Sequence, residues 1–141
     1  MEEINFFTED TSFGLEREEE RAAWIEAVIK KEGFSIGELN YIFCSDEYLL
    51  KINQEYLDHD TYTDIVTFDN SEGEEIIEGD IFISVDRVKE NAEGLGNSFE
   101  EELNRVMIHG VLHLLGQGDK TEEEAQQMRN KEDSCLNLWK N

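Results

Sequence analysis

The sequence predicts an α+β fold in which a small mixed β-sheet is covered by helices. Short strand-like segments alternate with helical segments up to about residue 92, and only helical segments follow. Two strand-like segments also flank a turn signal at residues 71–74, which is typical of a β-hairpin. With 141 residues and 38% apolar content, we expect one domain spanning residues 1–141.

The first half of the chain is predicted to supply two strands, each followed by a helix. The helix at Glu18–Lys31 has an acidic start and a basic end, which complement the helix dipole, and Gly33 is a candidate stop. Ser45 or Asp46 can cap the second helix. The remaining predicted features are a strand at Ile4–Phe7, a strand at Leu39–Cys44, and a helical stripe of Leu49, Ile52 and Tyr56.

The second half is predicted to begin with a hairpin and to end with three helices. Two capping-box pairs, Ser98 with Glu101 and Thr121 with Glu124, open the last two helices. The other predicted features are a strand at Asp64–Phe68, a turn at Ser71–Glu74, a strand through Ile76, Ile77 and Gly79–Ser84, and a helix at Asp86–Ala92 that Gly94 and Gly96 break.

The net charge of −23 makes the chain strongly acidic, so it repels polyanions at long range. This disfavours non-specific nucleic-acid binding but leaves room for contact through a local basic patch or a metal. No run of 18 apolar residues is present, and the start shows no basic segment followed by an apolar stretch. We therefore expect a cytoplasmic protein without a membrane span, in which Cys44 and Cys135 are reduced core thiols.

The most informative motif is a pair of histidines, His109 and His113, four residues apart. Four residues make about one helical turn, so both imidazoles share a helix face, and Gly116 then ends the helix. Asp119 follows at a distance that allows its carboxylate to join them. Two imidazoles and one carboxylate suit one zinc ion, and three protein ligands leave the open position typical of catalytic zinc. The alternative, two hydrogen-bonded structural histidines, fits less well in such an apolar helix.

The same frame resembles the metzincin motif H-E-x-x-H-x-x-G-x-x-H, but it differs at two positions. Gly110 stands where the metzincin has its general-base glutamate, so ordinary metzincin proteolysis is disfavoured. Asp119 stands where the third histidine would be, and it remains a competent zinc ligand although its charge weakens the metal as a Lewis acid.

The run H-G-x-L-H-L-x-G at His109–Gly116 is similar to the signature of the YbeY family of bacterial endoribonucleases. Three further blocks, in the family's order, also resemble it, and Met128 and Glu132 fit the last helix. These blocks are Asn53–Tyr56, Thr63–Phe68 and Gly79–Ile83.

The resemblance implies a cytoplasmic, metal-dependent hydrolase that cleaves single-stranded RNA. It implies a role in 16S rRNA 3′-end maturation and ribosome quality control, with small-subunit rRNA and possible ribosomal or ribosome-assembly proteins as partners. The family has a third metal-binding histidine where this chain has Asp119, and usually an arginine where this chain has Leu57. His59 lies two residues beyond Leu57 and is either a partial substitute for that arginine in phosphate binding or an exposed loop histidine.

In the mechanism that this suggests, zinc at His109, His113 and Asp119 polarises a water for attack on a phosphodiester. The general base is not identified by the motif; Asp64 and His59 are the candidates for a catalytic role, beside the ligand Asp119 itself.

Two further features of the sequence each allow two interpretations. Four basic residues near the motif either form a phosphate track or are scattered surface cations: Arg87, Lys89, Arg105 and Lys120. Glu132 is either a stripe-edge residue that reaches solvent or a buried carboxylate that accepts a hydrogen bond from a ligand imidazole.

Three functions therefore compete. The first is a zinc-dependent endoribonuclease. The second is a metalloprotease-like hydrolase, favoured by the metzincin-like frame and opposed by Gly110. The third is a non-catalytic ribosome-assembly module, favoured by the acidic composition and by Leu57 and Asp119.

Overall fold

The structure, a computed structural model, describes residues 3–56, 63–71, 73 and 75–140. Within these ranges the chain forms four strands and five helices. In chain order they are β1 (Glu3–Glu9), α1 (Glu18–Lys31), β2 (Ser35–Cys44), α2 (Asp46–Tyr56), β3 (Ile65–Asp69), β4 (Ile76–Ser84), α3 (Val85–Leu95), α4 (Phe99–Leu114) and α5 (Glu122–Lys140).

The four strands form one mixed sheet in the order β1-β2-β4-β3. Strand β1 runs parallel to β2, and β2 runs parallel to β4, while β3 pairs antiparallel with β4 as the second arm of the predicted hairpin. The β2–β4 pairing shifts register between Ile36 and Leu39, a bulge that lengthens β2 beyond the predicted Leu39–Cys44. The predicted α+β class with a small mixed sheet is confirmed.

The sheet is covered on both faces, because alternate strand residues enter two separate clusters. Tyr41 and Phe43 belong to the larger cluster, which includes buried residues of α1, α3, α4 and α5. Cys44 and Val66 belong to the smaller cluster, where Leu49 of α2 covers the opposite face. One side-chain hydrogen bond joins the sheet to α4, because the Tyr41 hydroxyl donates to the carbonyl of Met107. A second joins α1 to α5, because Trp24 Nε1 donates to the carbonyl of Cys135.

Helix α4 approaches the sheet most closely at Gly110. A Cβ at this position would lie 3.0 Å from Cδ1 of Ile65 and 3.0 Å from Cγ2 of Ile81. Because Gly110 has no side chain, the axis of α4 can lie close to β3 and β4 at this point. Since residues one position apart on a helix point about 100° apart, His109 is turned away from the sheet.

Several boundaries extend beyond the sequence-based prediction. Helix α3 continues through Gly94 to Leu95, so Gly94 does not break it; Gly96, with φ of 74°, provides the left-handed C-cap. Of the two candidate caps for α2, Ser45 accepts the bond, from the backbone N–H of Tyr48. Both cysteines are free and buried, as predicted for core thiols.

Among the residues that the structure describes, none of the helices has the length and apolar composition needed to span a membrane.

Two glycines give a matched test of the packing. A Cβ on Gly79 would lie 2.4 Å from the carbonyl oxygen of Phe68, so Gly79→Ala should force β3 and β4 apart and lower the free energy of unfolding by about 1–3 kcal/mol. A Cβ on Gly94 meets nothing within 4 Å, so Gly94→Ala should raise the free energy of unfolding by about 0.5–1 kcal/mol, because alanine has the higher helix propensity. Urea unfolding of both variants measures the difference, and a Gly79→Ala protein as stable as the wild type would contradict the assigned strand contact.

Candidate active site

An open cleft of about 520 Å³ lies between α4, α5 and the start of β3. All of the polar side chains that line it are ionisable. These are Asp64, Glu102, Arg105, His109, Asp119, Arg129 and Glu132. The cleft thus brings His109 and Asp119 of the predicted metal site together with Asp64, the predicted candidate for a catalytic role.

Glu132 of α5 links the cleft histidine to an arginine. Nδ1 of His109 donates to Oε2 of Glu132 over 2.6 Å, and Nη1 of Arg105 donates to Oε1 of the same carboxylate over 2.8 Å. Glu132 is only 5% exposed, so both of its oxygens are held in a largely water-free position. The prediction of a buried carboxylate that accepts from the imidazole is confirmed, and the alternative of a solvent-reaching Glu132 is wrong.

This arrangement leaves Nε2 as the free nitrogen of His109. The hydrogen bond to Glu132 raises the pKa of His109, outweighing the opposing effect of burial, and the nearby charges of Glu132, Asp119 and Asp64 act in the same direction. A carboxylate behind the imidazole also makes it a better electron donor, which is the usual arrangement behind metal-binding histidines.

His109 and Asp119 lie at a spacing that a metal can bridge. Nε2 of His109 is 3.4 Å from Oδ2 of Asp119. Two ligands of tetrahedral zinc, each about 2.0–2.1 Å from the ion, are about 3.4 Å apart. The rings of His109 and His113 stack at 5.9 Å between centroids, with 24° between their planes. Nδ1 of His113 donates to the carbonyl of Gln117, which leaves Nε2 of His113 free.

The predicted three-ligand site is not closed in this structure. Within residues 3–56, 63–71, 73 and 75–140, no three histidine, cysteine or acidic side chains converge closely enough to hold one ion. His113 is exposed and does not line the cleft, whereas His109 and Asp119 face each other. The assignment of His109, His113 and Asp119 as metal ligands therefore stays a prediction.

Gly110 does not face the cleft. Its α-carbon is directed at Ile65 and Ile81, which a Cβ would approach to 3.0 Å. A glutamate at this position, as in the metzincin motif, would have no room between the helix and the sheet. The absence of that base therefore follows from helix–sheet packing.

Two carboxyl groups of the cleft have perturbed acidity. Burial raises the pKa of Asp64, although the charge of His109 opposes the shift. Burial likewise raises the pKa of Glu102, and the charge of Asp64 adds to this effect. Glu102 is 6% exposed, and its Oε1 makes no hydrogen bond within the described part of the chain. An unsatisfied buried acceptor of this kind costs about 1–3 kcal/mol of stability.

The predicted phosphate track needs correction at two of its four residues. Arg87 is paired with Asp46 at 2.7 Å and with Glu90 at 3.4 Å. Arg105 lines the cleft but is paired with Glu132 and Asp133. Their guanidinium charges are already balanced by carboxylates, so neither is a free phosphate-binding cation.

Leu57 and His59, where the sequence suggested a missing arginine and its substitute, lie outside the described residues. The candidate role of His59 therefore stays a prediction.

Two cleft residues, Glu102 and Arg129, were not predicted from the sequence. Helical spacing could have found the first, because Glu102, Val106, His109 and His113 follow one another at intervals of four, three and four residues. Arg129 lies next to Met128, which faces the core, and no motif in the sequence distinguishes it from other surface arginines.

Comparison with known proteins gives consistent results. Residues 3–140 match the family model described as Endoribonuclease YbeY. The curated relative of Cytophaga hutchinsonii named Endoribonuclease YbeY is 57% identical over 99% of this chain and 97% of its own length. The relative of the same name from Christiangramia forsetii is 53% identical over 97% of this chain and 94% of its own length.

A solved structure agrees with the fold. The solution structure of a Thermotoga maritima protein matches with a TM-score of 0.68 and 29% identity, over 98% of this chain and 92% of that one. Because the family model spans nearly the whole chain and the relatives are more than half identical to it, this chain belongs to the YbeY family of endoribonucleases.

Proposed function

We propose that this chain is a zinc-dependent endoribonuclease that cleaves single-stranded RNA in the cytoplasm. Its function is 16S rRNA 3′-end maturation and ribosome quality control, and residues 1–141 act as one domain. The observation that carries the proposal is the chain of contacts Arg105–Glu132–His109–Asp119, with 2.8, 2.6 and 3.4 Å between successive groups. Family membership supports the hydrolysis of RNA phosphodiester bonds.

The residues at the outer end of this chain of contacts fit a metal ion. Nε2 of His109 and the carboxylate of Asp119 have the separation of two ligands on one zinc, and His113 would supply a third through its free Nε2. When bound, zinc lowers the pKa of a water molecule and withdraws charge from a phosphoryl oxygen.

The protein's own groups set the geometry around that position. Glu132 fixes the tautomer of His109, since its carboxylate accepts a hydrogen bond from Nδ1–H and leaves the Nε2 lone pair facing Asp119. Arg105 in turn fixes Glu132 by binding its other oxygen and Asp133 at the same time. The site is thus oriented before substrate arrives, which reduces the reorganisation needed in the reaction.

Asp64 is the candidate proton acceptor among the described residues. It lines the same cleft as His109, and burial moves its pKa upward, toward the range in which a carboxylate both accepts and releases a proton near neutral pH. The backbone carbonyl of Asp64 accepts a bond from Ser84 of β4, which holds this residue at the start of β3.

The zinc assignment can be tested by metal content and cleavage together. We expect mass spectrometry to find one zinc per wild-type chain and a large loss of zinc in His109→Ala and Asp119→Ala. Asp69→Ala, which changes an exposed aspartate of β3, is the matched control. Wild-type cleavage of single-stranded RNA should stop with a chelator and return with added zinc, whereas a denatured protein substrate should stay intact.

Full zinc occupancy in both ligand variants would overturn the ligand assignment. Chelator-sensitive cleavage of the protein substrate would favour the metalloprotease, and cleavage of neither substrate would favour the non-catalytic assembly module.

The role of Glu132 has its own test. In Glu132→Gln the neutral amide no longer supports the imidazole, and zinc affinity should fall by about 10–100-fold, as measured by competition with a chromogenic chelator. Asp133→Asn is the control, because it removes only the exposed partner of Arg105. Equal zinc affinity in Glu132→Gln and Asp133→Asn would show that the buried carboxylate does not act on the metal.

The dependence of RNA affinity on salt should be shallow. Since Arg105 is neutralised by two carboxylates, the cleft offers few cations to phosphates. We expect a slope of log K against log salt no steeper than about −2, the value for roughly three contacts to single-stranded RNA at about −0.7 each. A slope of about −4 or steeper in a fluorescence-anisotropy titration would require an additional basic surface.

A further inference from the structure

We propose that the end of the cleft near the start of α4 is a nucleobase subsite in which Glu102 recognises guanine while Arg129 contacts a neighbouring phosphate. This inference rests on the proposed RNA-cleaving function and deepens it, because it assigns a sequence preference to the same cleft.

The first observation is the unpaired acceptor of Glu102. This residue is 6% exposed and lines the cleft, and its Oε1 accepts no hydrogen bond from any residue that the structure describes. Most buried carboxylates are paired, as Glu132 is in this same cleft. A ligand with N–H donors would supply the partner that Glu102 lacks.

The position of Glu102 relative to His109 suits a nucleotide that flanks the scissile bond. The two residues are seven positions apart on α4, which places them on the same face about 10 Å apart along the axis. Groups that act on the same phosphate lie much closer together than this; two metal ions that share one phosphate, for example, are only about 3.5–4 Å apart. Glu102 is therefore too distant to act on the reacting phosphate and lies where an adjoining nucleotide would reach.

The second observation is an arginine in the same cleft that carries no carboxylate partner. Arg129 of α5 lines the cleft and forms no ion pair among the described residues, in contrast to Arg105. Its charge lowers the pKa of Glu102 against the effect of burial, so the two groups influence each other electrostatically. A free guanidinium is well suited to a phosphate oxygen.

The third observation is the apolar surface between these polar groups. Val106 of α4 and Met128 of α5 line the cleft, and both are buried. Flat bases of single-stranded RNA insert between such surfaces, and their Watson–Crick edges are then read by hydrogen bonds. The cleft therefore offers an acceptor for the base edge, apolar walls for the base and a cation for the backbone.

Guanine is the base that best fits a carboxylate. Its Watson–Crick edge presents the N1 and N2 donors side by side, so both oxygens of Glu102 can accept. Uracil presents one N–H between two carbonyl oxygens, which a carboxylate repels. A bidentate contact of this type discriminates against a wrong base on the order of tenfold or more.

The test uses wild-type protein with a randomised single-stranded RNA pool and sequencing of the product ends. We expect guanine over uracil by about tenfold at one fixed position beside the break. In a defined substrate, inosine at that position removes the N2 donor and 1-methylguanine removes the N1 donor; both should lower kcat/KM. These base analogues test the contact without any change to the protein.

Two variants with matched controls complete the test. Glu102→Gln should abolish the preference while RNA is still cleaved, whereas Glu93→Gln, at an exposed position on α3, should keep it. Arg129→Gln should raise KM for all sequences without changing the base preference, and Lys51→Gln, at an exposed position on α2, should have no effect. Thermal melting shows whether each variant is folded.

A wild-type protein that cleaves RNA without base preference, or a Glu102→Gln protein that keeps the preference, would overturn the inference. If the wild type cleaves no RNA, the proposed function fails, and the subsite is decided by titrating guanosine and uridine 5′-monophosphates against the methyl NMR signal of Met128. Equal affinity for the two nucleotides would then refute the subsite independently of cleavage.

Discussion

The close packing of α4 on the sheet at Gly110 determines which side chains of this helix face the cleft. With no Cβ at this position, the helix rests directly on Ile65 and Ile81, and its rotation about its own axis is restricted. The apolar side chains of Leu103 and Met107 then enter the core. The residues on the other side of the same helix, including Glu102 and His109, face α5 and form one wall of the cleft.

The pairing of charges within the cleft limits the electrostatic repulsion between this acidic protein and its acidic substrate. The chain carries a net charge of −23, and much of the cleft lining is carboxylate. The charge of Glu132 is balanced internally by Arg105, and its second oxygen accepts a hydrogen bond from His109, so Glu132 adds little repulsion toward RNA. What remains for the substrate is a small number of directed contacts. Such a site favours recognition of particular groups over general attraction to the RNA backbone.

Much of the fold was predictable because it follows from local patterns. The range of α1 was predicted to the residue, and the capping boxes at Ser98 and Thr121 located the starts of the last two helices. The placement of β2 between β1 and β4 was not predictable, because strand order depends on long-range pairing. The sequence predicted that Gly94 would break α3, but the helix continues through it. The cost of a glycine within a helix is only about 1 kcal/mol, which the neighbouring turns can offset.

The site was predictable only where spacing along a single helix carries information. The histidine pair identified one face of α4, and the structure brings His109 and Asp119 together. The pairing of Arg87 with Asp46, and of Arg105 with Glu132 and Asp133, could not be predicted, because these carboxylates lie 27 or more positions away in sequence. The unpaired Glu102 was likewise hidden, since the sequence shows that a residue is acidic but not whether its oxygens find donors.

The contacts of α5 with the rest of the fold would couple binding of the proposed ion to local unfolding of the C-terminal part of the chain. This helix holds Glu132 against His109. It is anchored to α1 by the hydrogen bond from Trp24 Nε1 to the backbone carbonyl of Cys135 and by the contact between the rings of Trp24 and Trp139. By thermodynamic linkage, an ion that binds better when Glu132 is docked must also oppose detachment of α5. The apoprotein would then populate states with α5 partly released more often, and hydrogen exchange along that helix would report on the occupancy of the site that Glu132 supports.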